Sequence, residues 1–260
     1  MKIEINGLNI NYELSGNEDG PVVIMSHSLC TNLDMWYLQM AVLEPGFRVL
    51  RYDTRGHGHS DAPDGAYTLD QLADDAMGLL DALGIDRFHW VGISMGGMIG
   101  QNVALNHADR LQSLVLCDTA AIMPEDVQPL WEERISAAKN QGMQPMVKEI
   151  LQRWFTQSFL SKYPPEVRRI TDQILETPVT GYIGCSEAIR RLDYLERLSE
   201  IPIPTLIIVG EEDPGTPVEA SEAIHARIPD SQLNIIPSAA HLCNLEQAES
   251  FNKILMDFLQ

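Results

Sequence analysis

The sequence predicts an α/β protein with a mostly parallel sheet of eight strands, helices on both faces of the sheet, and an inserted helical cap. Short apolar runs of the kind that form strands buried on both faces alternate with helical segments. This alternation favours right-handed crossovers and therefore a parallel sheet. Between residues 122 and 190 the alternation lapses, and only helical segments follow one another. We therefore expect an α/β core formed by residues 1–121 and 191–260, with residues 122–190 as the cap.

The first two strands differ from the rest because their residues alternate between polar and apolar. They flank Asn6-Gly7, a pair typical of tight hairpin turns, so we expect them to add antiparallel strands at one edge of the sheet. The run Val22-Val23-Ile24-Met25 is apolar throughout and predicts a strand buried on both faces. The eight predicted strands are residues 2–5, 8–14, 22–25, 47–52, 88–93, 111–117, 203–209 and 232–236.

Helical segments follow most of these strands. The clearest runs from Thr68 to Leu83, with Thr68 as the predicted N-cap, an apolar stripe at helical spacing, and Gly84 after its end. The remaining predicted helices of the core are residues 34–43, 95–106, 217–228 and 245–259.

The charge balance argues against several kinds of partner. Lys and Arg number 18 against 37 Asp and Glu, which gives a net charge of −19 and disfavours binding to nucleic acid or to an anionic membrane surface. Residues 121–200 are nearly neutral by comparison, with 10 basic and 12 acidic side chains. Either this is a chance feature of a solvated surface, or the segment faces an anionic ligand.

The cysteines and the N-terminus predict a cytoplasmic protein. The four cysteines are widely spaced and form no C-x-x-C pair, which is typical of buried free thiols in a reducing compartment. The first residues lack the apolar core of a signal peptide, and no apolar run is long enough to predict a membrane span. His57 and His59 form an H-x-H pair, but no third ligand is evident, so we predict no metal site.

The pattern Gly92-Ile93-Ser94-Met95-Gly96 stands between a predicted strand and a predicted helix. A sharp turn there would project the Ser94 side chain from the top of the sheet, and it would leave no room for a Cβ atom at either glycine. This context favours a nucleophilic serine at a helix N-terminus over a plain strand–turn–helix connection.

Binding sites in open α/β sheets form beyond the carboxyl ends of the strands, and His27, Ser94, Asp118, Asp213 and His241 all follow predicted strands. We predict that Ser94 is the nucleophile and that His241 is its base, with Asp118 and Asp213 as the two candidate acids that could orient the imidazole. His27 is expected to fix its loop by hydrogen bonding.

A serine nucleophile also needs hydrogen-bond donors that stabilise the oxyanion formed during attack on a carbonyl group. The backbone N–H groups of Leu29 and Met95 are the predicted donors, because they follow the first buried strand and the nucleophile respectively.

Several motifs in the chain resemble those of known hydrolases. Ser94 in G-I-S-M-G-G, Asp213 in G-E-E-D-P and His241 in S-A-A-H-L-C-N-L-E make the whole chain similar to α/β-hydrolases. The segments R-Y-D-T-R-G-H-G-H-S, L-V-L-C-D-T-A-A, R-W-F-T, G-Y-I-G-C-S-E-A-I and A-A-H-L-C-N-L-E-Q resemble 3-oxoadipate enol-lactonases of aromatic-compound degradation (the β-ketoadipate pathway) more narrowly. One departure is Cys30, which stands where the loop pattern H-G-x-G-T usually has glycine.

The resemblance implies an α/β-hydrolase fold without a cofactor, and a serine hydrolase that cleaves a carboxylic ester or lactone through an acyl-enzyme. Trp131, Trp154 and Arg134 are the predicted substrate-binding residues of the cap, with Arg153 as a second candidate cation. The two tryptophans are either pocket walls or core aromatics.

The resemblance favours Asp213 over its rival Asp118 as the acid that orients His241, and it implies 3-oxoadipate enol-lactone as the preferred substrate. The alternatives are a carboxylesterase for small acyl or aryl esters, a cofactor-free perhydrolase, or a small-molecule receptor that has kept the fold. The sequence predicts no particular oligomeric state.

Overall fold

A computed structural model describes all 260 residues and contains one eight-stranded sheet, as predicted. The strand order is β1-β2-β4-β3-β5-β6-β7-β8. The strands are β1 (Lys2–Ile5), β2 (Leu8–Gly16), β3 (Val22–Ser26), β4 (Arg48–Tyr52), β5 (Phe88–Ile93), β6 (Leu111–Cys117), β7 (Thr205–Gly210) and β8 (Gln232–Ile236). β1 pairs antiparallel with β2 and β2 antiparallel with β4, whereas all other neighbours are parallel. The antiparallel hairpin therefore lies at one edge, as its alternating sequence predicts.

Eleven α-helices accompany the sheet. They are α1 (Tyr37–Leu43), α2 (Leu69–Ala82), α3 (Met95–Asn106), α4 (Gln128–Gln141), α5 (Val147–Trp154), α6 (Gln157–Lys162), α7 (Pro165–Glu176), α8 (Val179–Ile189), α9 (Val218–His225), α10 (Cys243–Glu246) and α11 (Ala248–Leu259). None of them combines the length and hydrophobicity that crossing a membrane requires.

Most predicted helices of the core are confirmed, with two differences at their ends. The N-cap of α2 is Thr68, whose side chain and that of Gln71 satisfy each other's backbone N–H groups. The helix predicted over 34–43 begins instead with a 3₁₀ turn, Leu33–Trp36, capped by Asn32. The helix predicted over 245–259 is two helices, because the backbone leaves the helical region at Gln247, where φ is −127° and ψ is 51°.

The core lies on both sides of the central strands. All six residues of β7 and the last five of β6 are buried, since helices cover both faces of the sheet. On one side α3 packs against β3, β5 and β6 and also contacts α2. On the other side α1 and α11 pack together and contact the strands β4 and β8 respectively.

The segment between β6 and β7 contains five α-helices and no strand. Its two ends lie side by side, joined by a single bridge between Ile122 and Asp193 and by hydrogen bonds from Met123 N–H to the Leu192 carbonyl and from Tyr194 N–H to the Ala121 carbonyl. Helices α4 to α8 are thus inserted into the α/β core as a helical cap. The exact domain limits at residues 122 and 190 stay a prediction.

Candidate active site

The turn between β5 and α3 presents Ser94. Its backbone has φ 54° and ψ −116°, a conformation that residues with a side chain rarely adopt. A Cβ atom at Gly92 would clash with the Gly96 carbonyl, and one at Gly96 would clash with the Ser26 carbonyl. Glycine at both positions therefore allows a turn that is sharp enough to project the Ser94 hydroxyl from the sheet into a cavity.

Ser94, His241 and Asp213 are joined by hydrogen bonds although they come from three distant segments. Ser94 Oγ lies 2.9 Å from His241 Nε2, and His241 Nδ1 lies 2.7 Å from Asp213 Oδ2. In the tautomer that satisfies both contacts, the Nδ1–H group donates to the carboxylate and Nε2 accepts from the serine hydroxyl.

Asp213 is itself held by three further donors. Its Oδ1 accepts from the N–H groups of Gly215 at 2.7 Å and Thr216 at 3.1 Å, and its Oδ2 accepts from the Thr216 hydroxyl at 2.7 Å. The carboxylate therefore caps a turn and also orients the imidazole.

The charges of this pair stabilise each other. Burial disfavours ionisation of Asp213, but the nearby His241 and the donors around the carboxylate outweigh burial and lower the pKa of Asp213 below 3.8. Burial likewise disfavours the imidazolium, but the charge and hydrogen bond of Asp213 outweigh it and raise the pKa of His241 above 6.5. Asp213 thus stabilises the imidazolium that proton transfer from Ser94 would create.

Asp118, the rival acid, is placed differently. It is fully buried at the end of β6, its Oδ1 accepts from Gly210 N–H at 2.7 Å, and its Oδ2 has no hydrogen-bond partner. Burial and the charge of Asp213 raise the pKa of Asp118 to about 8, so it is largely an uncharged carboxylic acid at neutral pH. No hydrogen bond joins it to His241, and the geometry therefore favours Asp213 as the partner of the imidazole.

The two predicted oxyanion donors have N–H groups without acceptors in the chain. Leu29 lies in the loop after β3 and lines the cavity together with Ser94. Its N–H group makes no hydrogen bond, whereas the next N–H group along the chain, that of Cys30, donates to His57 Nε2 at 3.0 Å. Met95 is the first residue of α3, so its N–H group has no acceptor within the helix.

Two buried histidines fix this loop. His27 Nε2 accepts from Thr54 N–H at 2.9 Å, and its Nδ1–H donates to the Ser28 carbonyl at 2.7 Å. Burial lowers the pKa of His27 to about 4 and that of His57 to about 3, so both rings are neutral and can accept these bonds. These contacts agree with the expectation that His27 fixes its loop by hydrogen bonding. The similar role of His57 was not predicted, because a contact between distant loops leaves no local pattern in the sequence.

Cys30 shows why that loop must be held. Its φ is 61°, in the left-handed region that favours glycine. The bond from Cys30 N–H to His57 keeps the residue in this strained conformation. No group of three or more His, Cys, Asp or Glu side chains is arranged to hold a metal ion.

The cap covers Ser94 and encloses a cavity of about 200 Å³. Trp131, Trp154, Arg134 and Arg153 all line it, and Trp154 also belongs to the buried core, so this tryptophan fits both interpretations of the sequence. Ser28 and Cys30 of the loop after β3 line it as well, and the remaining lining residues are Met98, Met123, Val127, Leu130, Ile150, Tyr182, Ile189, Pro214, Gly215 and Thr216.

The two arginines of the cavity share one carboxylate as their ion-pair partner. Arg134 and Arg153 both face Glu149 Oε1, at 3.6 and 3.7 Å, which is too long for a hydrogen bond. The Glu149 side chain is 60% exposed, so solvent screens its charge. The Nε atom of each arginine is buried without a partner. The two guanidinium groups therefore place positive charge at the cavity wall, which would attract an anionic ligand.

Known proteins share this architecture along the whole chain. Residues 21–248 match the family model described as alpha/beta hydrolase fold. A 3-oxoadipate enol-lactonase from Acinetobacter baylyi is 37% identical over 243 residues, covering 94% of this chain and 90% of that protein.

Solved structures give the same result. The enol-lactonase from Burkholderia xenovorans is 37% identical and superposes with a TM-score of 0.96 over 100% of this chain and 99% of that one. A thermophilic esterase from Thermogutta terrifontis, solved with malate bound, is 30% identical with a TM-score of 0.93 over 100% of this chain and 97% of that one. A family match over most of the chain, together with these relatives, shows that the protein belongs to the α/β-hydrolase fold family and is similar to 3-oxoadipate enol-lactonases.

Proposed function

We propose that this protein is a serine hydrolase that cleaves a carboxylic ester or lactone through an acyl-enzyme, and that its preferred substrate is 3-oxoadipate enol-lactone. The observation that carries the proposal is the continuous hydrogen-bonded chain from Ser94 through His241 to Asp213, which opens into a cavity beneath the cap. A serine hydroxyl is a weak nucleophile until a neighbouring base removes its proton, and this arrangement supplies that base.

The reaction follows from the geometry. Ser94 Oγ attacks the carbonyl carbon while His241 Nε2 takes the hydroxyl proton, and Asp213 stabilises the resulting imidazolium. The N–H groups of Leu29 and Met95 stabilise the oxyanion of the tetrahedral intermediate. When the carbon–oxygen bond of the ester breaks, His241 returns the proton to the leaving oxygen. Water then attacks acyl-Ser94 by the same route and regenerates the hydroxyl.

A lactone changes only the fate of the leaving group. Because alcohol and acyl parts belong to one ring, ring opening leaves both on Ser94 until water releases the product. For an enol-lactone the leaving oxygen becomes an enol, which converts to the ketone.

The arginines favour an anionic substrate. An enol-lactone of 3-oxoadipate carries one carboxylate, and the guanidinium groups of Arg134 and Arg153 supply positive charge at the cavity wall. The relatives agree with this choice, since two enol-lactonases share 37% identity with the chain, and the similar esterase was solved with a dicarboxylate, malate. A volume of about 200 Å³ suits a small substrate, because pockets for drug-sized ligands are larger.

A carboxylesterase acting on small acyl or aryl esters is the second candidate. Apolar side chains, among them Met98, Met123 and Ile189, form much of the cavity wall and would accept an uncharged acyl group.

Turnover of 3-oxoadipate enol-lactone and of p-nitrophenyl butyrate by one preparation separates the two candidates. We expect kcat/KM for the lactone to be higher by about 100-fold, given two charge-assisted hydrogen bonds to its carboxylate. Strong ester turnover without lactone turnover would refute the lactonase proposal. Ser94→Ala is the control and should lower kcat roughly 10⁴-fold for whichever substrate is used. An unchanged rate in that variant would refute the nucleophile itself.

A further inference from the structure

We propose that Glu246 and Thr156 form a tie between the cap and the loop of His241, and that Glu246 is thereby a positioning residue for the base. This inference rests on the proposed function, because it assigns His241 the role of accepting the Ser94 proton. Neither residue touches Ser94 or the cavity, so each would act only through the backbone that carries the imidazole.

The Glu246 carboxylate lies at the centre of the tie. It accepts from Ala240 N–H at 3.1 Å, from Thr156 N–H at 3.2 Å to each oxygen, and from the Thr156 hydroxyl. Hydrogen bonds to an ionised acceptor are stronger than those between neutral groups. Thr156 is 6% exposed and Glu246 is half-buried, so these bonds are only partly open to water. The Glu246 carboxylate therefore joins Ala240, the residue before His241, to Thr156 of the cap, which lies 90 positions before Glu246 in the sequence.

A second contact holds the other side of His241. Leu242 N–H donates to the Trp154 carbonyl at 3.1 Å. The residues directly before and after His241 are thus both attached to the segment 154–156, one through Glu246 and one directly. The Trp154 ring also stacks on the imidazole, with the ring centroids 6.2 Å apart.

The loop needs this support because little else holds its cap side. It runs from the end of β8 at Ile236 to the start of α10 at Cys243. On the core side, Glu212 N–H donates to the Ala239 carbonyl at 2.8 Å. On the cap side, the bonds to Glu246 and Trp154 are the backbone attachments of the loop. Proton transfer requires Ser94 Oγ and His241 Nε2 to stay near their 2.9 Å separation, so a small displacement of the loop would slow the reaction.

The tie also restrains one part of the cap, the segment between α5 and α6. The end of α5 and the start of α6 are bonded to the base loop, so this part of the cap cannot lift away without carrying His241 along. Two of the motifs noted in the sequence, R-W-F-T and A-A-H-L-C-N-L-E-Q, contribute Thr156 and Glu246 respectively.

Four variants test the tie. Glu246→Gln replaces one carboxylate oxygen by an NH2 group, which cannot accept a hydrogen bond, so the side chain can no longer hold Ala240 and Thr156 together. Thr156→Val removes the hydroxyl donor, and Thr156→Ser restores it. Glu249→Gln is the matched control, since Glu249 is exposed and its side chain makes no hydrogen bond or ion pair in the structure. The readouts are kcat, KM, the melting temperature, and the rate at which a fluorophosphonate labels Ser94, which depends on activation by His241 and not on the identity of the substrate.

We expect Glu246→Gln and Thr156→Val to lower both kcat and the labelling rate about 10-fold, because displacements of an ångström or less slow oriented reactions by such factors. KM should stay within about threefold of the unmodified protein, because the cavity is unchanged. Thr156→Ser and Glu249→Gln should behave like the unmodified protein.

Three outcomes would overturn the tie: a folded Glu246→Gln protein that is labelled at the unmodified rate, a Thr156→Ser protein as slow as Thr156→Val, or a lower melting temperature with unchanged kcat. Thr156→Val also removes the N-cap of α6, which Glu246→Gln leaves intact. If both variants slow the reaction equally, loss of this N-cap hydrogen bond is therefore not the cause. Failure of the proposed function gives a different result, since the unmodified protein would then show no turnover or labelling that depends on Ser94.

Discussion

The indole of Trp154 lies nearly parallel to the imidazole of His241, with 27° between the ring planes and 6.2 Å between their centroids. A residue of the cap thus covers the face of the base, and both side chains are more than nine-tenths buried. The imidazole is held between the carboxylate of Asp213 and this ring. The cap therefore takes part in shaping the base as well as the substrate cavity.

Removing this ring should destabilise the protein and weaken the base. Trp154→Ala leaves a void beside His241, and we expect a loss of about 3 kcal/mol in the free energy of unfolding together with a lower kcat. Trp154→Phe keeps an aromatic face there and should lose less of both. Denaturant unfolding and steady-state kinetics on the three proteins measure the two effects. Equal stability of the alanine variant and the unmodified protein would contradict this packing argument.

The pH dependence of kcat/KM should report the ionisation of His241. Below its raised pKa the imidazole is charged and cannot accept the Ser94 proton, so activity should rise with pH through a pKa above 6.5. Asp213→Asn removes the charge that raises this pKa, while burial of the ring remains. The acid limb should therefore move to lower pH as kcat falls by about 10⁴-fold. Profiles from pH 5 to 9 test this, and an acid limb that stays in place in the variant would show that Asp213 does not set it.

Asp118 should affect stability more than catalysis. Its pKa is about 8 in the folded protein and ordinarily 3.8, so between these values the folded state holds a proton that the unfolded state releases. The contribution of this residue to stability therefore declines as pH rises from about 4 to about 8. Asp118→Asn keeps an acceptor for Gly210 N–H and has no proton to lose. The free energy of unfolding of this variant, relative to that of the unmodified protein, should therefore increase as pH rises from about 4 to about 8.

Melting temperatures of both proteins from pH 4 to 9 measure this difference. Activity of Asp118→Asn should remain far above that of Asp213→Asn. The reverse order would make Asp118 the acid that orients His241.

The cavity arginines should decide selectivity for an anionic substrate. Arg134→Gln or Arg153→Gln removes a charge-assisted donor, and each should raise KM for the enol-lactone by about 10-fold while leaving p-nitrophenyl butyrate nearly unaffected. Glu149→Gln is the matched control, because it removes the carboxylate that both arginines face and should lower KM for the lactone. Parallel changes in KM for the two substrates would show that the arginines only support the cap.

The sequence was sufficient wherever a local pattern determines structure. The predicted strands and the position of Ser94 followed from apolar runs and from the glycines of a sharp turn. His241 and Asp213 followed from the rule that side chains after parallel strands meet at one edge of the sheet.

Contacts between segments left no such pattern. Thr156 and Glu246 are 90 positions apart and Cys30 and His57 are 27 apart, so neither pair could be found from spacing. The break at Gln247 was missed because the helical signal runs from one helix into the next without a glycine or proline between them. The shared position of Arg134 and Arg153 also depends on how α4 and α5 pack, which the sequence of either helix alone does not determine.

The attachment of residues 154–156 to the base loop has a consequence for how molecules reach Ser94. Leu130 of α4 lines the cavity and is also 41% exposed, and Pro214 and Gly215 in the loop after β7 line it and are exposed as well. Val127, one turn earlier in the chain, lines the cavity as well. A molecule that enters the cavity would therefore pass these exposed residues, on the sides where the cap is not bonded to the loop of His241.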